Sequence, residues 1–582
     1  MIKKLSPSAR LNATNSRPTE APARLEDGIL LHQQGRLDAA ASIYSRIIHE
    51  NPDNVDASYL LGLVYLQSKN HSLAVDFISK AISLNADNHM YHCNLGVAFK
   101  ELGQLETAVA CYERAINLRP DYATAYSNLG ATLKELGQFD AAVACCDKAI
   151  SLKPDYFEAY SNRGNALNEL GRFEAALACH DIAIKINSKY AEAYSNRGNS
   201  LQGLSRFEEA VASYDLSIKL KPDYHEAYTN RGNALRELKR FSVALESYDI
   251  SISIKPDYVD ANYSRAALLL LCGEFEAGFK AYEWRLKSTS VKLKKENLTQ
   301  PGWLGSESLY GKKILLYSEQ GLGDTIQFCR YVKSVADLGA RVLLEVPQSL
   351  IGLLQELEGL SLLIERGQPL PDFDFHCPLL SLPLALKTNL MTIPGQSAYL
   401  APRADRHAKW SKYLGSGGFK IGIAWQGATG RVDLGRSFPV RLFHKISCLP
   451  GARLISLQKN TGVDQLAMLP EGLTIEVLPD EFDSGADAFL DSAAVMKSLD
   501  LVITSDTAIS HLAGALGVPT WTALKSVPEW RWLLDRPDSP WYPGHRLFRQ
   551  DRSGDWDPVF DEIASALQEL LLLRDGKKQV VS

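Results

Sequence analysis

The sequence predicts an all-α superhelix of 34-residue helical repeats, followed by an α/β domain made of two parallel-sheet halves, the first one short. Two observations carry that prediction. Glycines recur at Gly28, Gly62, Gly96, Gly130, Gly164, Gly198 and Gly232, always 34 residues apart, with Ala266 in the next slot. Beyond Lys313 the pattern changes to short apolar runs of strand length alternating with helical stretches.

The repeats come first. A second ladder, Ala40, Ala74, Ala108, Ala142, Ala176, Ala210 and Ala244, is closed by Gly278. Small residues at both positions let two antiparallel helices cross closely. Pro52, Pro120, Pro154, Pro222 and Pro256, each followed by Asp, mark where the second helix of a unit must stop. This period and pattern resemble the tetratricopeptide repeat (TPR), with units starting at residues 21, 55, 89, 123, 157, 191, 225 and 259. The eight units are expected to occupy residues 21–292, the last one degenerate, as a terminal repeat against another domain should be.

A further ladder does not serve packing between the two helices of a unit. Asn94, Asn128, Asn162, Asn196 and Asn230 hold the sixth position of five units, and Asn165, Asn199 and Asn233 lie three residues later on the same helix face. In this repeat family that face lines a concave groove. Amides there suit the backbone of an extended protein or peptide partner; alternatively they bridge neighbouring repeats. The ladder resembles that of the O-linked N-acetylglucosamine transferase superhelix.

Composition bounds the rest. A chain of 582 residues is too long for one core, and 46% hydrophobic with 23% charged residues is ordinary for a globular protein. The formal net charge of −5 argues against a nucleic-acid binder. No apolar run approaches the roughly 18 residues needed for a membrane span. Met1 to Pro22 has basic residues but no apolar segment behind them, unlike a secretory signal, and its Ser, Asn, Pro and Thr content reads as a disordered leader over residues 1–20. A cytoplasmic location is expected. The nine cysteines form no CxxC pair. Cys111, Cys145 and Cys179 share the 34-residue spacing and read as packing residues, and His180 replaces a recurring aromatic (Tyr112, Tyr214, Tyr248).

Residues 293–311 are expected to be a linker, with Trp303 packing on a neighbour. Strands are predicted at Lys313 to Glu319, Arg341 to Val346 and Leu360 to Ile364 in a first Rossmann-like half, residues 312–400. In a second, residues 401–575, they are predicted at Lys420 to Trp425, Arg453 to Gln458, Leu473 to Leu478, Leu499 to Ser505 and Pro519 to Ala523. Residues 576–582 are a tail. The final helix, Asp557 to Leu573, has an apolar face suited to crossing back to the first half, and Trp530, Trp532 and Trp541 are expected to pack it on the sheet.

Two strand-to-helix turns carry the chemistry. The first is Gly321-x-Gly323-Asp324-Thr325; the second is Asp506-Thr507-Ala508-Ile509-Ser510-His511, whose backbone N–H groups would receive a diphosphate. Each Asp alone could equally be a helix cap. Together, in this order, they resemble the ADP-heptose:lipopolysaccharide heptosyltransferase family, of GT-B fold, over roughly residues 312–570. The segments Pro528 to Trp532 and Ser539 to Pro543 are similar to a repeat-bearing bacterial branch of these relatives.

That resemblance implies a metal-independent, inverting glycosyltransferase with a nucleotide-diphosphate sugar as substrate and no cofactor. It makes Asp324 the general base and places Gly323, Asp506, Thr507, Ala508 and His511 at the donor, with Arg436 and Lys459 as cations. Three features depart from the family: Ala508 stands where glycine is usual, Gln458 where an acidic residue is, and the first half is short. The repeats are expected to recruit a protein acceptor. Transfer to a lipid-linked or surface saccharide and a non-catalytic scaffold are the alternatives.

Overall fold

The computed structural model describes residues 24–288, 298–395, 398–427, 435–485, 489–552 and 554–581. The expected leader and the charged run at 292–296 therefore lie outside the described residues. The chain divides into two compact units, one ending at Arg206 and one running from Phe207. The division falls inside the repeat array, so the last repeat helices belong with the α/β region.

Sixteen helices from Leu25 to Tyr282 follow one another among the described residues, two to each 34-residue unit. From the second pair on, first helices begin at Val55, His89, Ala123, Phe157, Ala191, His225 and Val259, in the predicted register. Second helices end two residues before each Pro-Asp, at Glu50, Leu118, Leu152, Leu220 and Ile254. The glycine ladder meets a different partner than expected. A Cβ on Gly28, Gly62, Gly96, Gly130, Gly164 or Gly232 would come nearest, at 2.5–2.7 Å, to the side chain sixteen residues on: Tyr44, Ile78, Tyr112, Cys146, His180 or Tyr248. The alanine ladder is not the first obstacle. His180 is thus a core residue, with no hydrogen bond at either ring nitrogen. The turn inside each unit needs a left-handed residue. Gly35, Gly103, Gly137, Gly171 and Gly273 supply it at φ 72–85°, whereas Lys69, Ser205 and Lys239 adopt it at φ 57–60°.

The last pair closes early: Phe275–Tyr282 is followed by a 3₁₀ turn, Glu283–Lys287. Arg285, fully buried, turns from it to the first sheet. It donates to Glu319 at 2.8 Å, Ser381 at 2.7 Å and Glu283 at 2.6 Å. Glu319 is equally buried, so this ion pair joins the last repeat to the α/β region in low dielectric.

Both sheets are parallel. The first has strand order β3-β2-β1-β4, with β1 Lys313–Tyr317, β2 Arg341–Val346, β3 Leu360–Glu365 and β4 Phe375–Pro378. The second has order β6-β5-β7-β8-β9, with β5 Phe419–Ala424, β6 Ala452–Ser456, β7 Leu501–Ser505, β8 Thr520–Leu524 and β9 His545–Arg549. Strand order reverses beside β1 and between β5 and β7, where sheets of this kind open a crevice at their carboxyl ends.

Three expectations need correction and one is met. Residues 473–478 form no strand; Glu476 makes one parallel bridge with Ile455, held by a bidentate contact from Arg453. Trp303 packs on a neighbour as expected: it is buried, its backbone N–H donates to the His376 carbonyl, and Gly302 bridges to β4. The final helix runs Asp557–Val581, through most of the expected tail, and stays on the second sheet. There Val559, Phe560, Ile563 and Leu567 share a core with Ile421, Phe438, Phe443 and Ile503. The three tryptophans pack elsewhere: Trp530 contacts Phe279 and Tyr282 of the last repeat, Trp541 contacts Phe275, and Trp532 stacks on His511.

Candidate functional site

The two motif turns leave the carboxyl ends of β1 and β7 and meet. Gly323 lies in the first turn of the Leu322–Phe328 helix, and Ala508–Ala515 follows the second turn. A Cβ on Gly323 would lie 2.9 Å from His511 Cδ2 and 3.3 Å from the Ala508 Cα, so only glycine allows this approach.

Asp324 does cap its helix: Oδ2 accepts the Gly321 N–H at 2.9 Å. Its other oxygen accepts from Arg531. Arg531 is buried and also donates to Gln327 Oε1 at 2.7 Å and to Glu529. Burial pushes the Glu529 carboxyl up to about 7, with the Arg531 guanidinium opposing that shift. Burial likewise raises the Asp506 carboxyl, while the Arg436 and Arg531 guanidiniums oppose it. His511 is buried and its Nδ1 lies 3.0 Å from the Tyr542 hydroxyl. Burial first, and then the charges of Arg531, His545, Arg330 and Arg436, hold the ring well below its usual range, so it is neutral at neutral pH.

Arg436 comes to the same place. A Cβ on Gly427, just after β5, would touch its guanidinium at 3.0 Å and the Thr507 methyl at 3.3 Å. Gly427, Arg436 and Thr507 thus converge where β5 and β7 diverge. Lys459 does not join them, because its ammonium donates to the Phe482 carbonyl. Gln458 is a structural clasp: its oxygen accepts from the Trp425 and Gln426 N–H groups, and its nitrogen donates to the Gln426 and Thr461 carbonyls. All its hydrogen-bonding capacity is used inside this turn.

A cavity of about 290 Å³ opens beside these residues. One side is Arg436, Asp506, Lys525 and Glu529 from the second sheet's carboxyl edge; the other is Arg236, Glu237 and Tyr263 from the repeat helices His225–Glu237 and Val259–Leu271. The sequence does not mark Lys525, Glu529, Arg531 or the repeat residues as site residues. Only the position of Lys525, close behind a predicted strand, could have flagged it. Among the described residues no group of three His, Cys, Asp or Glu side chains could hold a metal ion, and no helix is long and apolar enough to cross a membrane.

The asparagine ladder bridges repeats. The Asn162 amide donates to Ser127 Oγ at 3.1 Å and Asn196 to Ser161 Oγ at 3.2 Å, each 35 residues back, while Asn94 reaches Tyr59 and Asn128 reaches Cys93. These bonds use amide donors, so carbonyl acceptors remain on the same side chains. Asn230 and Asn165 are half-buried, Asn199 is exposed, and Asn233 accepts from the Tyr248 hydroxyl at 2.8 Å. A second ladder goes beyond the sequence-based expectations: Arg163, Arg197, Arg231 and Arg265 pair with Asp147, Asp181, Asp215 and Asp249 at 2.6–2.7 Å.

Tetratricopeptide-repeat families match residues 25–89, 98–137, 123–156, 145–178, 164–205 and 195–259. Protein FlbA of Caulobacter vibrioides is 27% identical over 330 residues, covering 52% of this chain and 53% of that protein. The chain thus spans about half the length of the curated relative it matches. Among solved structures, MamA is similar at 27% identity over 28% of this chain and 96% of its own, with a TM-score of 0.26. YrrB, a TPR protein with an unusual peptide-binding site, is similar at 24% identity over 32% of this chain and 97% of its own, also with a TM-score of 0.26. The chain carries tetratricopeptide repeats.

Proposed function

We propose that the C-terminal half is a glycosyltransferase of GT-B type, which transfers a sugar from a nucleotide-diphosphate donor, with inversion, to a protein recruited by the repeats. The observation that carries this reading is the contact of the two turns, Gly323 against Ala508 and His511, at the carboxyl edges of two parallel sheets. Arg436, converging on Thr507, would take the charge that develops on the leaving diphosphate as the bond to the anomeric carbon breaks. The acceptor hydroxyl would form the new bond from the opposite face and pass its proton to Asp324. TPR repeats support a protein-interaction role, and the carbonyls of the asparagine ladder could pair with the backbone N–H groups of an extended acceptor.

Asp324 accepts on both oxygens, from Gly321 and Arg531, and this favours a second reading: donor binding without turnover. Thermal denaturation of the full chain against a panel of nucleotide sugars, with Asp506→Ala as control, tests the shared part. Stabilisation by one sugar nucleotide that the variant loses supports a donor site; no response from folded protein removes both readings. Radiolabelled sugar transfer to protein, compared with donor hydrolysis, then separates them. Loss of transfer with hydrolysis kept, in Asn162→Ala/Asn196→Ala/Asn230→Ala, supports acceptor recruitment by the ladder; unchanged transfer removes that role.

A further inference from the structure

The wall of the cavity supplied by the repeats is charged, which packing alone does not require. Glu237 ends the His225–Glu237 helix and faces two cations with its two oxygens. Oε1 takes the Arg236 guanidinium at 2.8 Å, and Oε2 lies 3.6 Å from the Lys525 ammonium. Lys525 directly follows β8 on the carboxyl edge of the second sheet, and its side chain is only 25% exposed. At 3.6 Å the ion pair engages at most one of the ammonium's three N–H groups. Arg436 and Asp506 line the same space, as do Glu529 and Tyr263.

We infer that the repeat array completes the donor site: Glu237 positions the Lys525 ammonium in the cavity, where it takes the negative charge of a nucleoside diphosphate. The inference rests on the nucleotide-sugar reading above. The chemistry follows from what surrounds Lys525. Burial, foremost, lowers the affinity of its amine for a proton; Glu237 and Asp506 act against that, and Arg236 acts with it. Without the Glu237 carboxylate the ammonium would give up its proton at lower pH, and the cavity would lose a cation as it did so. A helix of the repeats therefore places a compensating charge beside a group on the sheet edge. Glu237 is a positioning residue in this arrangement and Lys525 a binding residue.

The test is calorimetric titration of the full chain with ADP, GDP and UDP over a pH series that rises from neutral towards the ordinary lysine value of roughly 10.4. For the nucleotide that binds wild type, Lys525→Met should weaken binding about tenfold or more, the scale of one lost charge-assisted contact. Lys525→Arg should recover part of that affinity. Glu237→Gln should bind near wild type at the acid end and lose affinity progressively as pH rises, a slope that a merely structural defect would not produce. Binding by wild type with unchanged affinity in folded Lys525→Met, or a Glu237→Gln profile parallel to wild type, overturns the inference and leaves the donor reading standing. Failure of wild type to bind any of the three overturns both. If Glu237→Gln does not fold, the Lys525→Met and Lys525→Arg pair decides.

Discussion

Arg531 pairs with Asp324 across 207 residues of sequence, tying the turn after β1 to the loop after β8. The same guanidinium holds Glu529 and Gln327, so three acceptors from two segments converge on one buried cation. The geometry of the candidate base is therefore set by a residue outside its own motif.

Arg531→Met should unfold more easily, by about 1–3 kcal/mol, because it leaves two partly buried carboxylates without their cation. Arg531→Lys keeps the charge but not the planar fork, and should fall between the two. Denaturant unfolding of the full chain checks both; a Met variant as stable as wild type would show that the fork adds nothing.

Gly323→Ala should separate the two turns. Its methyl group would press on His511 and the Ala508 backbone, at an expected cost of about 1–3 kcal/mol for overpacking a fitted contact. Nucleotide-dependent stabilisation should fall with it. Thermal denaturation with and without ligand measures the two effects together.

His180 makes the repeats sensitive to acid. Burial lowers its folded pKa to about 3, against roughly 6.5 in an unfolded chain. Its neutral form is at home in both states above about pH 6.5, so nothing is lost there. As pH falls below that value the unfolded chain takes up the proton first, and stability declines by up to about 1.4 kcal/mol per pH unit. His180→Phe should lose about 2 kcal/mol less than wild type between about pH 7 and 5, as read by denaturant unfolding.

Lys239→Gly should stabilise the chain. Lys239 holds φ 58° in the slot that glycine fills in five other units. Relieving a left-handed side chain there contributes about 1 kcal/mol. A melting temperature at or below that of wild type would show that the lysine side chain is held there by another contact.

Local chemistry and periodicity specify the repeat array, its register and the place of the two turns. Each helix pair packs on its neighbours, so the same small, apolar and turn residues return every 34 positions, from Gly28 to Gly232, with the helix-ending prolines running from Pro52 to Pro256. The turns after β1 and β7 are legible because a glycine or an acid at the mouth of a helix follows an apolar strand. Strands β4 and β9 are not: Phe375–Pro378 is four residues ending in proline, and His545–Arg549 carries two arginines and a histidine. Folding in three dimensions was needed to turn Lys459 away from Arg436, to set the asparagines between repeats, and to bring Glu237 to Lys525. Those contacts join segments far apart in the chain, and a single encounter between distant side chains leaves no period in the sequence to read.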